Sequence, residues 1–424
     1  MDKQDSDYAI NPVPVHARKG LLSSCVVLIG FTFFTATMFA GGKIGLSFDF
    51  KTMLWAATIG NLLLGFYAAA LGFIASKTGL SAVLMTRYSF GNYGSKVSDF
   101  LLGFTQIGWY AWGTATIAIV LIKMLGLSSS WETPLMILFG FGFCLTAYIG
   151  YKGLDLLSRI SIPIMLAVLL ASLFFAVQKA GGLSELAHIV PSETMTLSTA
   201  ITLVFGTFVS GAIQATNWTR FAKSGKVAVW ASLSAFFIGN GLMIITGAIG
   251  AIVYKQPDIV EVLVLQGLSV AAVVMLFLNI WTTQDNTIYN FAAAGCNMLR
   301  TKNRKAVTLG GAAIGTLLAI AGMSDFLIPF LLILGVIIPP LGGVILADFF
   351  IVYKGRYPTL EEADKKLFNI PGLLAYAAGA AAAYLSPWLS PIVGILVAFA
   401  LHPIFMKWQQ SMQKNPQLEI EKAI

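Results

Sequence analysis

The sequence predicts an all-α integral membrane protein with twelve transmembrane helices. Of its 424 residues, 57% are hydrophobic and only 11% are charged, whereas soluble proteins are about 25% charged. Apolar runs of about 18 or more residues recur along the chain, and each is long enough to cross a hydrocarbon core of about 30 Å as a helix. Transmembrane barrels are excluded, because they consist of short strands of alternating polarity.

The predicted spans follow one another from about residue 20 to residue 407. They cover residues 20–45, 50–75, 97–122, 132–150, 154–178, 197–221, 226–253, 260–291, 305–322, 325–352, 370–386 and 390–407. The segments between them are too short to bury a core of their own. The function is therefore expected to reside within the spans.

The distribution of lysine and arginine predicts the orientation of the chain, since these residues concentrate in cytoplasmic loops. If both termini are cytoplasmic, 22 of the 27 basic residues fall on the cytoplasmic side. The exceptions are Lys43, Lys51, Lys123, Lys179 and Lys255. The sequence thus predicts a multi-pass protein with cytoplasmic tails at residues 1–19 and 408–424. The net charge of +8 indicates membrane orientation rather than a nucleic-acid partner.

Three of the predicted spans carry helix-breaking residues at membrane depth. These are Gly30, Gly41, Gly42 and Gly45 in span 1, the run 206–211 in span 6, and Gly335, Pro339, Pro340, Gly342 and Gly343 in span 10. Unwound backbone at this depth is tolerated only where protein covers it or where it lines a cavity. The alternative is that the glycines let helices pack closely.

Interrupted helices at matching positions of two halves indicate a secondary transporter built from inverted repeats. Spans 1 and 6 are five spans apart, which predicts a ten-helix core over residues 20–352. The two repeats are expected at residues 20–178 and 197–352, and two additional helices at 353–407.

The second half of span 8 is polar, with the sequence NIWTTQDNTIYN. At helical spacing one stripe contains Asn279, Thr282, Thr283, Asn286 and Asn290. Hydroxyl, amide and carbonyl oxygens are ligands for hard cations, so the adjacent Thr282 and Thr283, facing the backbone carbonyls of Gly30 and Phe33, form a candidate Na⁺ site. The alternative is that these side chains only join helices by hydrogen bonds. Asp285 lies off the stripe, and both a functional and a structural role remain open for it.

Span 3 has residues suited to a flat polar ligand. Gln106 offers an acceptor beside a donor, which matches the edge of a nucleobase or a hydantoin-like ring. Trp109 is one turn away and is expected to stack on such a ring. Phe208 of span 6 is expected on the opposite side, with the hydroxyls of Thr207 and Ser210 beside it. The alternative, an interfacial aromatic belt, conflicts with the position of Trp109 near the middle of the span.

Other functional classes find little support in the sequence. His16, His188 and His402 are far apart, and the three cysteines have no metal-ligand spacing. An enzyme is therefore not expected, because a buried acid and base pair or a metal cluster is missing from the spans. A receptor would need a soluble signalling segment. A passive channel for small polar solutes remains as a remote alternative.

Five segments resemble a known family. They are NPVPVHARKG at 11–20, KTGLSAVLMTRYSFG at 77–91, TQIGWY at 105–110, NIWTTQDNTIYN at 279–290 and IPPLGGVILADFF at 338–350. Residues 11–407 resemble the nucleobase:cation symporter-1 family, specifically its bacterial cytosine permease branch. The resemblance implies a LeuT-type fold of ten core helices plus two. It also implies Na⁺-coupled import of a nucleobase across the bacterial inner membrane by alternating access.

The resemblance also implies roles for individual residues. Gln106 and Trp109 would bind and stack the base and Phe208 would cover it, while Thr207, Ser210 and Asn279 would hydrogen-bond its edge. Na⁺ would be held by the carbonyls of Gly30 and Phe33 with Asn279, Thr282 and Thr283. No cofactor is implied besides Na⁺ as the coupling ion, and a monomer in contact with membrane lipid is expected.

Three departures from the branch leave the substrate open. Thr207 replaces a serine, Gln284 replaces an asparagine, and the run 214–218 differs from the branch, which has an acidic residue there. Cytosine is the expected substrate, and the alternatives are uracil, a purine, allantoin or hydroxymethylpyrimidine, with protons as an alternative coupling ion.

Overall fold

The computed structural model describes Tyr8 and residues 11–414 of the chain. The outer parts of both predicted tails, with Lys3 and Lys422, lie outside the described residues. In the first half, the α-helices are α1 (Leu21–Thr32), α2 (Thr35–Ser47), α3 (Phe50–Thr78), α4 (Ala82–Phe90), α5 (Ser95–Leu125), α6 (Glu132–Gly142), α7 (Cys144–Ile149) and α8 (Tyr151–Ala180).

The second half is also helical. Its helices are α9 (Leu197–Gln214), α10 (Thr216–Thr219), α11 (Gly225–Leu233), α12 (Asn240–Tyr254), α13 (Ile259–Leu265), α14 (Ser269–Leu299), α15 (Arg304–Ile320), α16 (Leu327–Ile337), α17 (Pro339–Ala347), α18 (Leu360–Asp364), α19 (Ile370–Leu385) and α20 (Ser390–Lys414). The described residues form no β-strand beyond one isolated bridge between Lys19 and Ala222. The all-α prediction is therefore confirmed for the described part of the chain.

Several helices are suited to cross a membrane. Among the described residues, eight are long and apolar enough, or nine if the bent pair α1 and α2 counts as one span. The remaining predicted spans correspond to α14, which is long but polar in its second half, and to the shorter α15 and α19. A multi-pass membrane protein is thus supported, while the count of twelve stays a prediction.

The chain bends by 61° between α1 and α2. Phe33 and Phe34 at the bend have extended backbone conformations, so this is where the helix of span 1 is interrupted. The glycines proposed as breakers further along lie inside regular α2 instead. A Cβ on Gly41 would lie 2.2 Å from the carbonyl oxygen of Ile244 in α12. For Gly41, Gly42 and Gly45 the close-packing alternative is therefore confirmed, and the expected interruption is wrong.

Two further irregularities occur in spans 6 and 10. Phe208 has a non-helical backbone (φ −134°, ψ 21°) inside α9, within the glycine-containing run 206–211 that was expected to break. In span 10, α16 ends at Ile337 and α17 begins at Pro339. Proline fits at the first position of a helix because it has no N–H to donate there.

The helices around these breaks form two packed groups. Helices α1–α3 and α9–α12 contact one another and are called the broken-helix group. Helices α5–α8, α14 and α15 also contact one another and are called the scaffold group. Helices α19 and α20 pack together and against α17, outside both groups. The predicted site residues come from both groups, so the site lies where the groups meet.

Candidate substrate and cation site

A small cavity lies between the broken-helix and scaffold groups, beside both interrupted helices. Its lining consists of Phe31, Phe34, Gln106, Trp109, Thr207, Phe208, Ser210, Gly211, Thr283 and Thr287. The structure thus brings together five of the six predicted substrate residues and one predicted cation ligand. The volume of ≈ 20 Å³ admits about one water molecule. A larger ligand requires some of the lining side chains to move.

Four of the ten residues that line the cavity are aromatic, namely Phe31, Phe34, Trp109 and Phe208. The rings of Phe34 and Trp109 are 5.2 Å apart and nearly perpendicular, and the rings of Phe34 and Phe208 are 6.4 Å apart in a similar arrangement. Phe34 therefore stands edge-on between the two residues that were predicted to sandwich a ligand. Phe31 packs against Phe208 from behind, at 5.3 Å.

Phe31 and Phe34 were missed by the sequence reasoning. They flank Phe33, which was selected only for its carbonyl group. Their proximity to the break was the available signal, but a break does not reveal which side chain turns towards the cavity. Tyr110, the neighbour of Trp109 in span 3, does not line the cavity. Its hydroxyl donates to the carbonyl oxygen of Gly140 at 2.5 Å.

Asn279 joins α14 to both sides of the break in span 1. Its Oδ1 accepts hydrogen bonds from the backbone N–H and the hydroxyl of Thr35, at 2.7 and 2.5 Å. Its Nδ2 donates to the carbonyl oxygen of Phe33 at 3.1 Å. Backbone groups released by the interruption thus find partners on α14, which explains how unwound backbone is accommodated at this depth.

Two of the predicted cation ligands, Phe33 and Thr283, meet at this contact. The hydroxyl of Thr283 is 3.4 Å from the carbonyl oxygen of Phe33. Gly30 is in the last turn of α1, where carbonyl groups have no partner within the helix. The hydroxyl of Thr282 donates to the carbonyls of Leu278 and Asn279 in its own helix, at 2.9 and 3.0 Å.

The donor set around Phe33 suits a hard cation. It consists of carbonyl and hydroxyl oxygens and includes no thiolate or imidazole, which is the chemistry preferred by Na⁺. Nδ2 of Asn279 donates to the carbonyl oxygen of Phe33, and its Oδ1 accepts from Thr35. The amide oxygen of Asn279 therefore points away from Phe33. Within the described residues, no group of histidine, cysteine and acidic side chains could hold a metal ion.

Asp285 is fully buried but lies away from the cavity lining. Its Oδ1 accepts from Nδ2 of Asn286 at 3.2 Å, and its Oδ2 has no hydrogen-bond partner among the described residues. The same Asn286 nitrogen donates to the carbonyl oxygen of Thr282 at 2.7 Å. Asn286 therefore links the Asp285 carboxylate to Thr282, one of the predicted cation ligands.

The polar stripe of α14 ends in a contact across the two groups. Nδ2 of Asn217 in α10 donates to Oδ1 of Asn290 at 3.0 Å. This bond lies between the central cavity and a second small cavity nearer the N-terminal segment, here called the N-terminal-side cavity. Its lining consists of Ser81, Asn217, Arg220, Tyr289, Ala292, Ala293, Cys296 and Arg304.

The amino-acid sequence is similar to those of known permeases. A family model described as permease for cytosine/purines, uracil, thiamine and allantoin matches residues 12–407. The cytosine permease of Escherichia coli (strain K12) is 37% identical over 393 residues, which are 93% of this chain and 92% of that protein. The hydantoin permease of Microbacterium maritypicum is 23% identical, over 92% of this chain and 86% of that protein.

Solved structures share the fold. Mhp1, a nucleobase-cation-symport-1 family transporter in a closed conformation with bromovinylhydantoin bound, matches with a TM-score of 0.84 and 19% identity over 96% of this chain and 95% of that one. Inward-facing Mhp1 matches with a TM-score of 0.83 and 20% identity over 95% and 93%. From the family model and the 37% identical relative, the chain belongs to the nucleobase:cation symporter-1 family of permeases for cytosine, purines, uracil, thiamine and allantoin.

Proposed function

We propose that the protein is a secondary active transporter that imports a nucleobase, with cytosine as the expected substrate, by Na⁺-coupled symport. The observation that carries this proposal is the cavity beside the two interrupted helices. There Trp109 and Phe208 supply aromatic faces, and Gln106 and Ser210 supply hydrogen-bonding groups. A flat heterocycle with polar edges matches both features. The extensive identity with a cytosine permease supports cytosine.

The organisation of the chain in the membrane belongs to the same proposal. Twelve spans form two inverted five-helix repeats, residues 20–178 and 197–352, followed by two additional helices. Both termini face the cytoplasm of a bacterial cell, as the distribution of basic residues favours. Transport then proceeds by movement of the broken-helix group against the scaffold group around the central cavity, which is the usual arrangement in transporters with interrupted helices.

Coupling to Na⁺ is assigned to the contact between α14 and the break in span 1. The proposed ligands are the carbonyls of Gly30 and Phe33 with Asn279, Thr282 and Thr283. To bind the ion, Oδ1 of Asn279 has to give up a hydrogen bond from Thr35. An ion drives transport only if it binds one conformation more tightly than the other, and oxygens from both groups meet here, since the Phe33 carbonyl oxygen lies 3.4 Å from the Thr283 hydroxyl. One charge crossing 100 mV corresponds to about 2.3 kcal/mol, which sustains a gradient of roughly 40-fold.

Alternative substrates share the chemistry of the site. Uracil, a purine, allantoin and hydroxymethylpyrimidine are nitrogen heterocycles with hydrogen-bonding edges that the same wall would accept. Protons are the alternative coupling ion, and a passive channel is the remaining alternative class. A channel equilibrates its solute, whereas a symporter concentrates it.

Radiolabelled cytosine uptake into proteoliposomes tests the proposal. With an inward Na⁺ gradient, we expect accumulation above the external concentration and no accumulation under a proton gradient alone. Uracil, hypoxanthine and allantoin in excess should compete less well than unlabelled cytosine. Equilibration without accumulation would identify a channel, and accumulation with protons alone would reject Na⁺ coupling.

A variant links uptake to the proposed site. Trp109→Ala removes the stacking surface, which contributes about 1–3 kcal/mol, so uptake should be lost while membrane insertion is retained. Trp230→Ala is the matched control, because Trp230 is exposed and distant from the cavity lining. Normal transport by Trp109→Ala would remove Trp109 from the site.

A further inference from the structure

A cavity of ≈ 660 Å³, here called the span-end cavity, lies where two apolar helical segments end. The candidate spans Phe50–Thr78 and Met323–Val352 both finish beside it, because Thr78 and Phe350 are among its lining residues. Pro12 of the N-terminal segment also lines it. None of its lining residues lines the central cavity. The span-end cavity is therefore a separate cavity at the level where these helices leave the bilayer, on the side predicted to be cytoplasmic.

The charged residues of this cavity all have the same sign. Lys77 of α3 and Arg356, which follows span 10, both line it, and no acidic residue does. Both side chains are exposed, and neither forms an ion pair with a carboxylate among the described residues. The ammonium group of Lys77 lies 5.7 Å from the centroid of the Phe73 ring instead. Two cations without a counter-charge favour an anionic ligand.

The turn after span 10 brings Arg356 to the cavity. The N–H of Gly355 donates to the carbonyl oxygen of Phe349 at 2.7 Å, and the N–H of Arg356 donates to that of Tyr353 at 3.1 Å. Gly355 has a φ of +83°, which glycine adopts without strain. A Cβ on Gly355 would meet no atom within 4 Å. The loop thus borders the cavity without filling it.

An apolar surface leads from the cavity along the outside of α3. The rings of Phe73 and Phe350 are stacked with centroids 6.2 Å apart, and they join α3 to the end of span 10. Phe350 is 43% exposed, and Phe66, two turns before Phe73 on the same face of α3, is 60% exposed. The cavity therefore combines a cationic end with an apolar path at bilayer depth. This combination matches an amphiphile with an anionic head.

We propose that the span-end cavity binds the headgroup of an anionic phospholipid. Lys77 and Arg356 hold its phosphate, and an acyl chain lies along Phe73 and Phe66. Basic pockets between membrane helices on the cytoplasmic side are suited to such headgroups, since the lipids of that leaflet are partly anionic. The site goes beyond the proposed function and does not depend on which substrate is transported.

A segment of the chain itself is the alternative occupant. Residues 1–7 include three aspartates and precede Pro12, which lines the cavity. The carbonyl oxygen of Tyr8, however, accepts from Arg220 at 2.8 Å, and the ring of Tyr8 lies 6.3 Å from that of Phe221. Arg220 lines the N-terminal-side cavity. Because the chain before Pro12 is held at that other cavity, the lipid is favoured as the occupant.

Native mass spectrometry of the purified full-length protein tests the site by titration with phosphatidylglycerol and, separately, phosphatidylcholine. We expect one phosphatidylglycerol to bind at least about 10-fold more tightly than phosphatidylcholine. Its affinity should fall about 30-fold in the double variant Lys77→Gln/Arg356→Gln, which corresponds to about 1 kcal/mol per basic residue. If the double variant is not recovered, Arg356→Gln alone decides, with an expected loss of about fivefold.

The double variant Lys302→Gln/Lys305→Gln is the matched control. It removes two exposed charges on the side predicted to be cytoplasmic, and neither residue lines the span-end cavity. Its affinity for phosphatidylglycerol should equal that of the unsubstituted protein. Equal losses in both double variants would reflect net charge alone and overturn the inference. Equal affinities of the unsubstituted protein for the two lipids would also overturn it.

Thiol labelling locates the bound lipid. Thr359 lines the cavity and is exposed, so Thr359→Cys is introduced after replacement of the three native cysteines. In lipid nanodiscs, phosphatidylglycerol should slow its alkylation relative to phosphatidylcholine, and inorganic phosphate should not. Protection by inorganic phosphate would assign the cavity to a free anion. If a protein lacking residues 1–7 is protected by the lipid and the full chain is not, the N-terminal residues are the occupant. Either result overturns the inference.

Discussion

At the scale of single residues, the cavity is sensitive to atoms that do not contact a ligand. Gly211 follows the interrupted part of α9 and faces the rings of Phe31 and Phe208. A Cβ built at this glycine would lie 2.8 Å from Phe208 and 2.9 Å from Phe31. Real Cβ atoms do not approach other atoms so closely, so a side chain here must displace an aromatic ring.

Gly211→Ala is therefore expected to weaken substrate binding by about 5- to 150-fold, since overpacking costs about 1–3 kcal/mol and the displaced ring lines the cavity. Binding of radiolabelled cytosine to the purified protein measures this. Gly310→Ala is the control, because a Cβ there meets no atom within 4 Å. Equal affinity in the two variants would show that Phe208 has room to move away from the ligand.

The role of the Thr283 hydroxyl in Na⁺ binding can be tested by a substitution that preserves the shape of the side chain. Thr283→Val keeps the side-chain shape but removes the hydroxyl that lies 3.4 Å from the Phe33 carbonyl. We expect the Na⁺ concentration for half-maximal uptake to rise about 10-fold, as an ion ligand worth about 1.4 kcal/mol would require. Thr308→Val removes a buried hydroxyl that bonds only to the Arg304 carbonyl and should leave the Na⁺ dependence unchanged. An unaltered Na⁺ curve for Thr283→Val would place the ion elsewhere.

At the scale of helices, α10 and α14 close the route from the central cavity towards the N-terminal segment. Asn217 and Asn290 share one hydrogen bond, and the second polar atom of each amide has no partner among the described residues. The pair belongs to opposite groups, so movement of one group against the other must break the bond. Cys296 lines the N-terminal-side cavity and is 4% exposed, which makes it a native reporter of this opening.

Asn217→Ala should increase the rate of Cys296 alkylation about fivefold, because one net hydrogen bond is worth about 1 kcal/mol. The measurement uses a background with Cys25→Ala and Cys144→Ala, in which Cys296 is the only thiol of the three. Gln284→Ala serves as the control, since its hydrogen bonds stay within the scaffold group. If Cys296 alkylation is accelerated equally in both variants, the substitutions loosen the helix packing in general, and the Asn217–Asn290 hydrogen bond is not a gate.

At the scale of the whole molecule, the orientation of the chain in the membrane is predicted from the distribution of its basic residues rather than from helix packing. Most basic residues are predicted on the side of the termini, and the exposed loop after α8 is predicted on the opposite side. Single cysteine substitutions test this predicted orientation in a variant in which the three native cysteines have been replaced. In intact cells, a membrane-impermeant maleimide should label Ser184→Cys directly but label Lys302→Cys only after permeabilisation. The reverse pattern would invert the proposed topology.

A contact outside the two groups was not foreseen from the sequence. His402 of α20 and Asp348 of span 10 are both fully buried, and Nε2 of His402 lies 2.9 Å from Oδ1 of Asp348. The hydroxyl of Ser89 donates to the other carboxylate oxygen at 3.2 Å. The sequence showed only that His402 is far from the other two histidines, and it did not reveal Asp348 as a partner because that residue is 54 positions away.

The sequence by itself determined the properties that depend on local pattern. Apolar length predicted the membrane helices, helical periodicity placed Asn279 and Thr283 on one stripe, and composition at span 6 located the irregularity around Phe208. Each of these follows from neighbours within a few turns, so no knowledge of distant contacts was required.

Only the tertiary structure decided which residues face one another. It placed Phe34 between Trp109 and Phe208, gave Gly41 a packing role, and connected Asn240 to Thr207. The physical reason is that a helix pattern defines directions around its own axis, whereas a contact depends on the axes of two helices. Their relative position is set by the packing of the whole bundle.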